Sequence, residues 1–362
     1  MFVEKSNPTS TPHRPIAQVH STPELTAFSA EARSQALMPG WEFQGGLPDE
    51  PIPAEQAYRW SWTETLRPLM VKAYAVVDPR KSERRNLILM NPGLKRAATT
   101  QTLIAAIQGV LPGEIAPAHR HTAQALRFII EGSGAFSTVN GEPLYMTPGD
   151  LVLTPQWAWH DHGNETDHPV IWLDVLDVPF VMALNQWFFE PHPEEIQPRS
   201  RPRGENARLY LSGIVRPVGP RVYEGPSPLW VYPWDRTETA LQELAEVETA
   251  EAGVTVQYNN PFTGGHVLPT IGCYAQMLRP GARTRPRRTN ASAVLHVVSG
   301  HGCTLVGDQK LTWESGDCLA IPHWSWVQHE NRSATEPAFL FSSQDVPILE
   351  AFGIYREEVA AQ

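Results

Sequence analysis

Residues 113–132 read GEIAPAHRHTAQALRFIIEG. His119 and His121 are separated by one residue, and Arg127 follows six residues after His121. Residues at i and i+2 of an extended strand project to one face. A strand here therefore aims both imidazoles at the same space and turns Arg120 away. Taken alone, the stretch allows two readings: metal ligands, or polar residues on a wet strand.

A second copy of the stretch discriminates between them. LPGEIAPAHRHTAQALRFIIEG (111–132) aligns without a gap on RPGARTRPRRTNASAVLHVVSG (279–300), with its glycines 168 residues apart (113 to 281, 132 to 300). PGDLVLTPQWAWHDHGN (148–164) aligns in the same way on SGDCLAIPHWSWVQHEN (315–331), at an offset of 167 (149 to 316). Gly149, Asp150, Pro155, Trp157, Trp159, His162 and Asn164 all recur. Two blocks in one order at nearly one offset mark a duplicated β module. In the second copy His119 faces Arg287, His121 faces Thr289, His160 faces Val327 and Arg127 faces Leu295. A scaffold role would keep the histidines in both copies; a chemical role predicts their loss where no chemistry occurs. His119 and His121 from one strand and His160 from a neighbour form a facial set that leaves coordination positions open on a transition metal.

The whole chain fits this frame. Its 362 residues carry 34 prolines and 25 glycines, which suit turns between short strands better than helices. A net charge of -10 argues against nucleic acid or an anionic membrane as the main partner. No apolar run is long enough to span a bilayer, and the first residues lack the apolar core of a signal peptide. Cys273, Cys303 and Cys318 form no CxxC pair, which fits a reduced cytoplasm.

The expected organisation is an arm and helices over 1–80, a metal-holding barrel over 81–185, a Pro-rich linker and helix over 186–250, and a second barrel without metal ligands over 251–362. Residues 1 to about 21 read as a mobile arm. Thr22-Pro23-Glu24 predicts a helix start running to about Leu37. Residues 54–74 predict a second helix broken or kinked at Pro68. TETALQELAEVETAEAG predicts a third, with Leu241, Leu244 and Val247 on one face and Gly253 ending it. Trp157 and Trp159 recur in both copies and read as core packing.

The blocks resemble the two cupin motifs. Gly113, His119, His121 and Gly132 fit the first, with Ala125 where a glutamate ligand usually stands. Gly149, Pro155, His160 and Asn164 fit the second, with Trp157 in place of its glycine. The resemblance implies an all-β bicupin, two double-stranded β-helix (jelly-roll) barrels with an N-terminal helical arm. It narrows to the gentisate 1,2-dioxygenase family on NPG (91–93), APAHRHTAQALRFIIEG, TPQWAWHDHGN, WLDVLDVPF and NPFTGG (260–265).

That family implies an Fe(II) centre held by His119, His121 and His160, which uses O2 to cleave the ring between its carboxyl- and hydroxyl-bearing carbons. It implies that Arg127 binds the substrate carboxylate, that Gln108 and Arg84 place the substrate, and that Asn86, Ile104 and Ala106 vary with specificity. It gives His162 a proton-handling role and puts Asp174 behind the site. It also implies a homotetramer, and the cysteine usage places it in the cytoplasm. Gentisate is the first-choice substrate. Salicylate, 5-nitro- or 5-halosalicylate and 1-hydroxy-2-naphthoate are the alternatives, since Ile104 stands where an aromatic residue is expected. A different metal cupin and a non-catalytic ligand-binding bicupin are the rival classes.

Overall fold

The computed structural model describes residues 21–44, 48–215, 218, 226–248 and 253–360. The arm expected over the first residues lies outside them, apart from its last one. Residues up to Ile52 form one compact unit and Pro53 onward another. In the first unit a helix spans Pro23–Ser34, capped by Thr22, whose hydroxyl accepts from the Leu25 amide at 3.1 Å. A short helix, Gly40–Gln44, follows.

The second unit holds two barrels, each of a six-stranded and a five-stranded antiparallel sheet. In the first barrel the larger sheet runs in the order Val231–Tyr232, Leu151–Thr154, Ala125–Glu131, Val170–Leu176, Ile104–Val110, Asn86–Ile88. Its smaller sheet runs Phe189–Pro191, Ile115–His121, His160–Asn164, Ala135–Val139, Glu142–Tyr145. The second barrel repeats this arrangement, with Tyr58–Trp60 on the edge of its larger sheet beside Cys318–Ile321.

The edge strands are exchanged. Tyr58–Trp60 precedes the first barrel in sequence yet pairs with the second; Val231–Tyr232 precedes the second barrel yet pairs with the first. The duplicated module is therefore longer than the motif blocks, because each exchanged strand runs into a helical turn that opens on a tryptophan, Trp62 after the first and Trp234 after the second. Trp62 donates its amide to Asp317 at 2.8 Å and Trp234 donates its own to Asp150 at 3.0 Å. A Cβ on Gly149 would meet the Trp234 ring at 2.5 Å, and one on Gly316 would meet the Trp62 ring at 2.4 Å. Both glycines have φ near +90°, so the duplicated Gly-Asp is fixed by backbone shape and contact alike.

A second reciprocal pair joins the barrels. Thr102 donates to Asp345, and Thr270 donates to Asp177. Each aspartate also accepts a backbone amide of its own barrel, from Ser292 and Gln124 respectively. Between the larger sheets lies a shared core in which Phe128 stacks on Phe341 at 4.1 Å, flanked by Leu126, Leu173, Cys273 and Ala275. The strand exchange, the Gly-Asp contacts with tryptophan and the Thr–Asp bonds are each made in both directions, as in a pseudo-two-fold dimer joined into one chain.

Several local expectations need correction. Residues 54–74 do not form one helix. Tyr58–Trp60 is a strand, Trp62–Leu66 a π-turn and Arg67–Val76 an α-helix. Pro68 lies in that helix's first turn, where its missing N–H costs nothing, so it starts the helix and does not break it. The third helix is Trp234–Val247. Leu241 is buried in the core and Leu244 packs against it, but Val247 is exposed in the last turn. Gly253 does not end that helix; it opens the strand Gly253–Gln257, with φ +128°.

Candidate metal centre and acid-binding cavity

His119 and His121 project inward from the strand Ile115–His121, and His119 pairs across the sheet with His160. One nitrogen from each of the three imidazoles lies within 4.8 Å of the others. All three are buried. Each ring is anchored by Nδ1: His119 to the Pro117 carbonyl at 3.2 Å, His121 to Ala123 at 3.0 Å and His160 to Ala158 at 2.9 Å. For His121 and His160 an Nδ1–H anchored on a carbonyl fixes the tautomer and leaves Nε2 with a lone pair, as metal-ligating histidines require; at His119 the Arg84 Nη2 donor lies 2.5 Å from the same Nδ1 and competes for it. Burial, and for His119 next the Arg84 guanidinium, depresses all three; His119 falls to about 2 and His121 to about 4. Neutral imidazoles that converge in a dry site form a donor set suited to a divalent transition ion. Ala125, buried in the lining, adds no carboxylate to it.

The histidines open onto a cavity of about 290 Å³. Arg84, Asn86, Ile104, Ala106, Gln108, Arg127 and Asp174 all line it. Strand pairing explains this convergence: Gln108 faces Asn86 on one side and Trp172 on the other, Ala106 faces Asp174, and Asp174 faces Arg127. Arg127 Nη1 donates to Thr154 Oγ1 at 2.6 Å, and its Nε lies 3.2 Å from Asp174 Oδ1. Trp172 Nε1 donates to the other Asp174 oxygen at 3.0 Å. Burial lifts the Asp174 carboxyl and lowers the Arg127 guanidinium, and each partner's charge opposes the other's shift. Arg84 lies against His119 and donates to the Pro117 carbonyl at 3.0 Å. Burial, followed by the like charge of Arg127, pulls Arg84 down to about 10. Two inward cations against one buried carboxylate leave an excess positive charge that suits an organic anion. Glu83, at the rim, is exposed and screened by solvent.

His162 is buried but does not line this cavity. Its Nδ1 bonds Ser137 Oγ at 2.8 Å, while its Nε2 has no protein partner. His329 makes the same bond to Thr304 at 2.8 Å in the second barrel. Trp157 and Trp159 are not core packing. Arg120 lies 4.4 Å from both ring centroids on the outer face, and Arg288 repeats this over Trp324 and Trp326. Trp157 and Trp324 take up the left-handed φ of the motif glycine they replace, at +61° and +52°.

The sequence reading missed Trp187 and Phe189, which line the cavity with Ile88, Leu176 and Val178. The Phe189 ring is 4.6 Å from His119, and its strand pairs with the histidine strand. The signal was the aromatic run WFF (187–189), hidden at the start of what reads as a proline-rich connector.

A cupin domain family model matches residues 106–176. The chain is 36% identical over 346 residues to the 5-aminosalicylate 1,2-dioxygenase of Comamonas sp, covering 93% of this chain and 91% of the relative. It is 36% identical to gentisate 1,2-dioxygenase 1 of Aquipseudomonas alcaligenes, covering 93% and 96%. A crystal structure of salicylate 1,2-dioxygenase from Pseudoaminobacter salicylatoxidans, as an adduct with gentisate, superposes with a TM-score of 0.87 at 35% identity, covering 95% of this chain and 96% of that one.

Proposed function

The chain belongs to the gentisate 1,2-dioxygenase family of ring-cleaving enzymes, and on that premise we propose that it opens gentisate at an iron(II) centre held by His119, His121 and His160. The observation that carries the reading is the convergence of three neutral imidazoles and a buried Arg127–Asp174 pair on one cavity. Iron(II) bound there supplies the electron exchange with O2 that a closed-shell aromatic ring cannot perform alone. His119, His121 and His160 are uncharged and would leave an ion held there its full positive charge toward the substrate's ortho carboxylate and hydroxyl oxygens.

The protein's own part is positioning and proton handling. Arg127 presents a planar guanidinium to the substrate carboxylate, and Asp174 holds that guanidinium against rotation. Gln108, whose buried Nε2 has no protein partner, donates to an oxygen of the bound acid. Arg84 adds charge beside the histidines, and Asn86 meets substituents at the rim. Ile104 and Ala106 form the wall against which the ring packs. Trp187 and Phe189 exclude water from the metal-facing side. His162 lies behind the lining, and its unpartnered Nε2 would relay a proton to or from the ring hydroxyl through an intervening group and not by direct contact. The same reading makes the protein a cytoplasmic homotetramer. No helix among the described residues is long and apolar enough to cross a membrane.

The apolar wall of Ile88, Ile104, Leu176 and Val178 favours a second reading, in which salicylate or a 5-substituted salicylate is preferred. O2 uptake by iron-loaded protein on gentisate, salicylate, 5-nitrosalicylate, 5-chlorosalicylate and 1-hydroxy-2-naphthoate, with product spectra, separates the two. Fast uptake on gentisate supports the first reading. Uptake on a salicylate with gentisate slow moves the preference to the second. Silence on all five with iron bound rejects both.

A further inference from the structure

The second barrel has lost the histidines but has not filled its interior. It encloses a cavity of about 380 Å³, larger than the one beside the histidines. Protein interiors are close-packed and rarely keep voids beyond the size of a water molecule. A barrel retained only as scaffold is expected to fill with apolar side chains, as small barrels do. This one is within the size range of small-molecule sites.

Its lining is patterned like a site. Gln276 occupies the place of Gln108, and its side-chain amide makes no hydrogen bond to another described residue. Ser342 occupies the place of Asp174 and accepts from Gln344 Nε2 at 3.0 Å. Thr289 and Tyr274 add hydroxyls, and Leu295, Val327 and Leu340 add apolar surface. Arg287, standing where His119 stands in the other copy, is half exposed at the rim and lies 3.5 Å from Glu357. Arg285 lines the same cavity, so two guanidiniums outnumber the one carboxylate. The metal-binding group found among the described residues does not extend here. The charge selects an anion, the amides and hydroxyls select oxygen substituents, and the apolar wall selects a hydrocarbon body.

We propose that the second barrel is a metal-free binding site for a small aromatic hydroxy acid, its carboxylate on Arg287, its hydroxyl on Gln276 and Ser342, and its ring against Leu295, Val327 and Leu340. The lining carries the hydroxylated acid with an apolar body; that the body is aromatic, and salicylate as its probe, rest on the proposed function.

Equilibrium dialysis of the iron-loaded full chain against salicylate, without O2 so that nothing turns over, tests the assignment. The chain binds two salicylates. Arg127→Met binds one, in the second barrel, and adding Arg287→Met weakens that remaining event at least tenfold. Gln276→Leu, close to isosteric, weakens it about tenfold for one lost hydrogen bond. Neutral salicylamide does not compete for it. One salicylate on the unaltered chain and none on Arg127→Met would overturn the proposal. So would a second event indifferent to both Arg287→Met and Gln276→Leu. O2 uptake separates the two failures. A chain inactive on every acid but still binding salicylate in Arg127→Met loses the proposed function and keeps this site; an active chain with a single binding event does the reverse.

Discussion

In the first barrel Asp150 accepts the Trp234 amide and Gly149 lies under the Trp234 ring; in the second, Asp317 and Gly316 do the same for Trp62. One strand away the copies part company. His119, His121, His160, Arg127 and Asp174 stand opposite Arg287, Thr289, Val327, Leu295 and Ser342. Positions that answer to backbone shape persist, because any side chain larger than hydrogen at Gly149 or Gly316 collides with a ring. Most positions facing the cavity differ, because there the ligand and not the backbone sets the side chain; Gln108 and Gln276 are kept in both. The buried Arg127–Asp174 pair shows the dependence: a buried charge is tolerated only with its partner, and in the second copy both members are gone together.

The comparison would break most completely at the metal. His119→Ala is expected to reduce bound iron from one per chain to none and O2 uptake to background, while Arg287→Ala leaves the iron content at one; metal analysis beside uptake decides. Iron retained in His119→Ala would place the centre elsewhere. Next in size, Arg127→Ala should raise KM for the acid about 30-fold or more with iron still bound, since removing one member of a buried charge pair costs roughly 2–5 kcal/mol. An unchanged KM would remove Arg127 from the acid site.

The frame makes a symmetrical demand. Gly149→Ala and Gly316→Ala should each lower unfolding stability by about 1–3 kcal/mol, from the ring contact and the positive φ. Denaturation curves showing one loss without the other would break the pseudo-symmetry. An effect of similar size is in pH. Burial lifts Asp177 to about 6 and also raises Asp345. A raised carboxyl makes the folded state bind more protons than the unfolded one. The contribution of Asp177 is therefore fully present below its unfolded value, near 4, and is lost as pH rises through about 6, by roughly 2–3 kcal/mol. Asp177→Asn should flatten that part of the stability curve, and Asp345→Asn should act in the same direction.

The duplication, the histidine pair, His160 and the cavity-facing character of Arg127 were legible because strand periodicity is strict and the second copy acts as an internal control. Gln108, Asn86, Ile104 and Ala106 could be placed only through family resemblance. Residue type alone would not separate Gln108 from a satisfied core amide. Trp157 misled the reading for a physical reason: recurrence shows that a residue is needed, not which face it occupies. Its work is to clamp Arg120 outside the barrel. Trp187 and Phe189 were hidden because a two- or three-residue edge strand has no periodicity to read.

The linear order of residues by itself determined two copies of one β module and which copy keeps the three-histidine set, since both follow from spacing and side-chain chemistry. Tertiary structure alone decided that each copy lends its first strand to the other barrel, that Thr102 and Thr270 reach across to Asp345 and Asp177, and that the barrel without the three convergent histidines still holds a cavity. Those outcomes depend on which surfaces meet when two similar faces bury each other, and such contacts between residues far apart in the chain leave no local pattern.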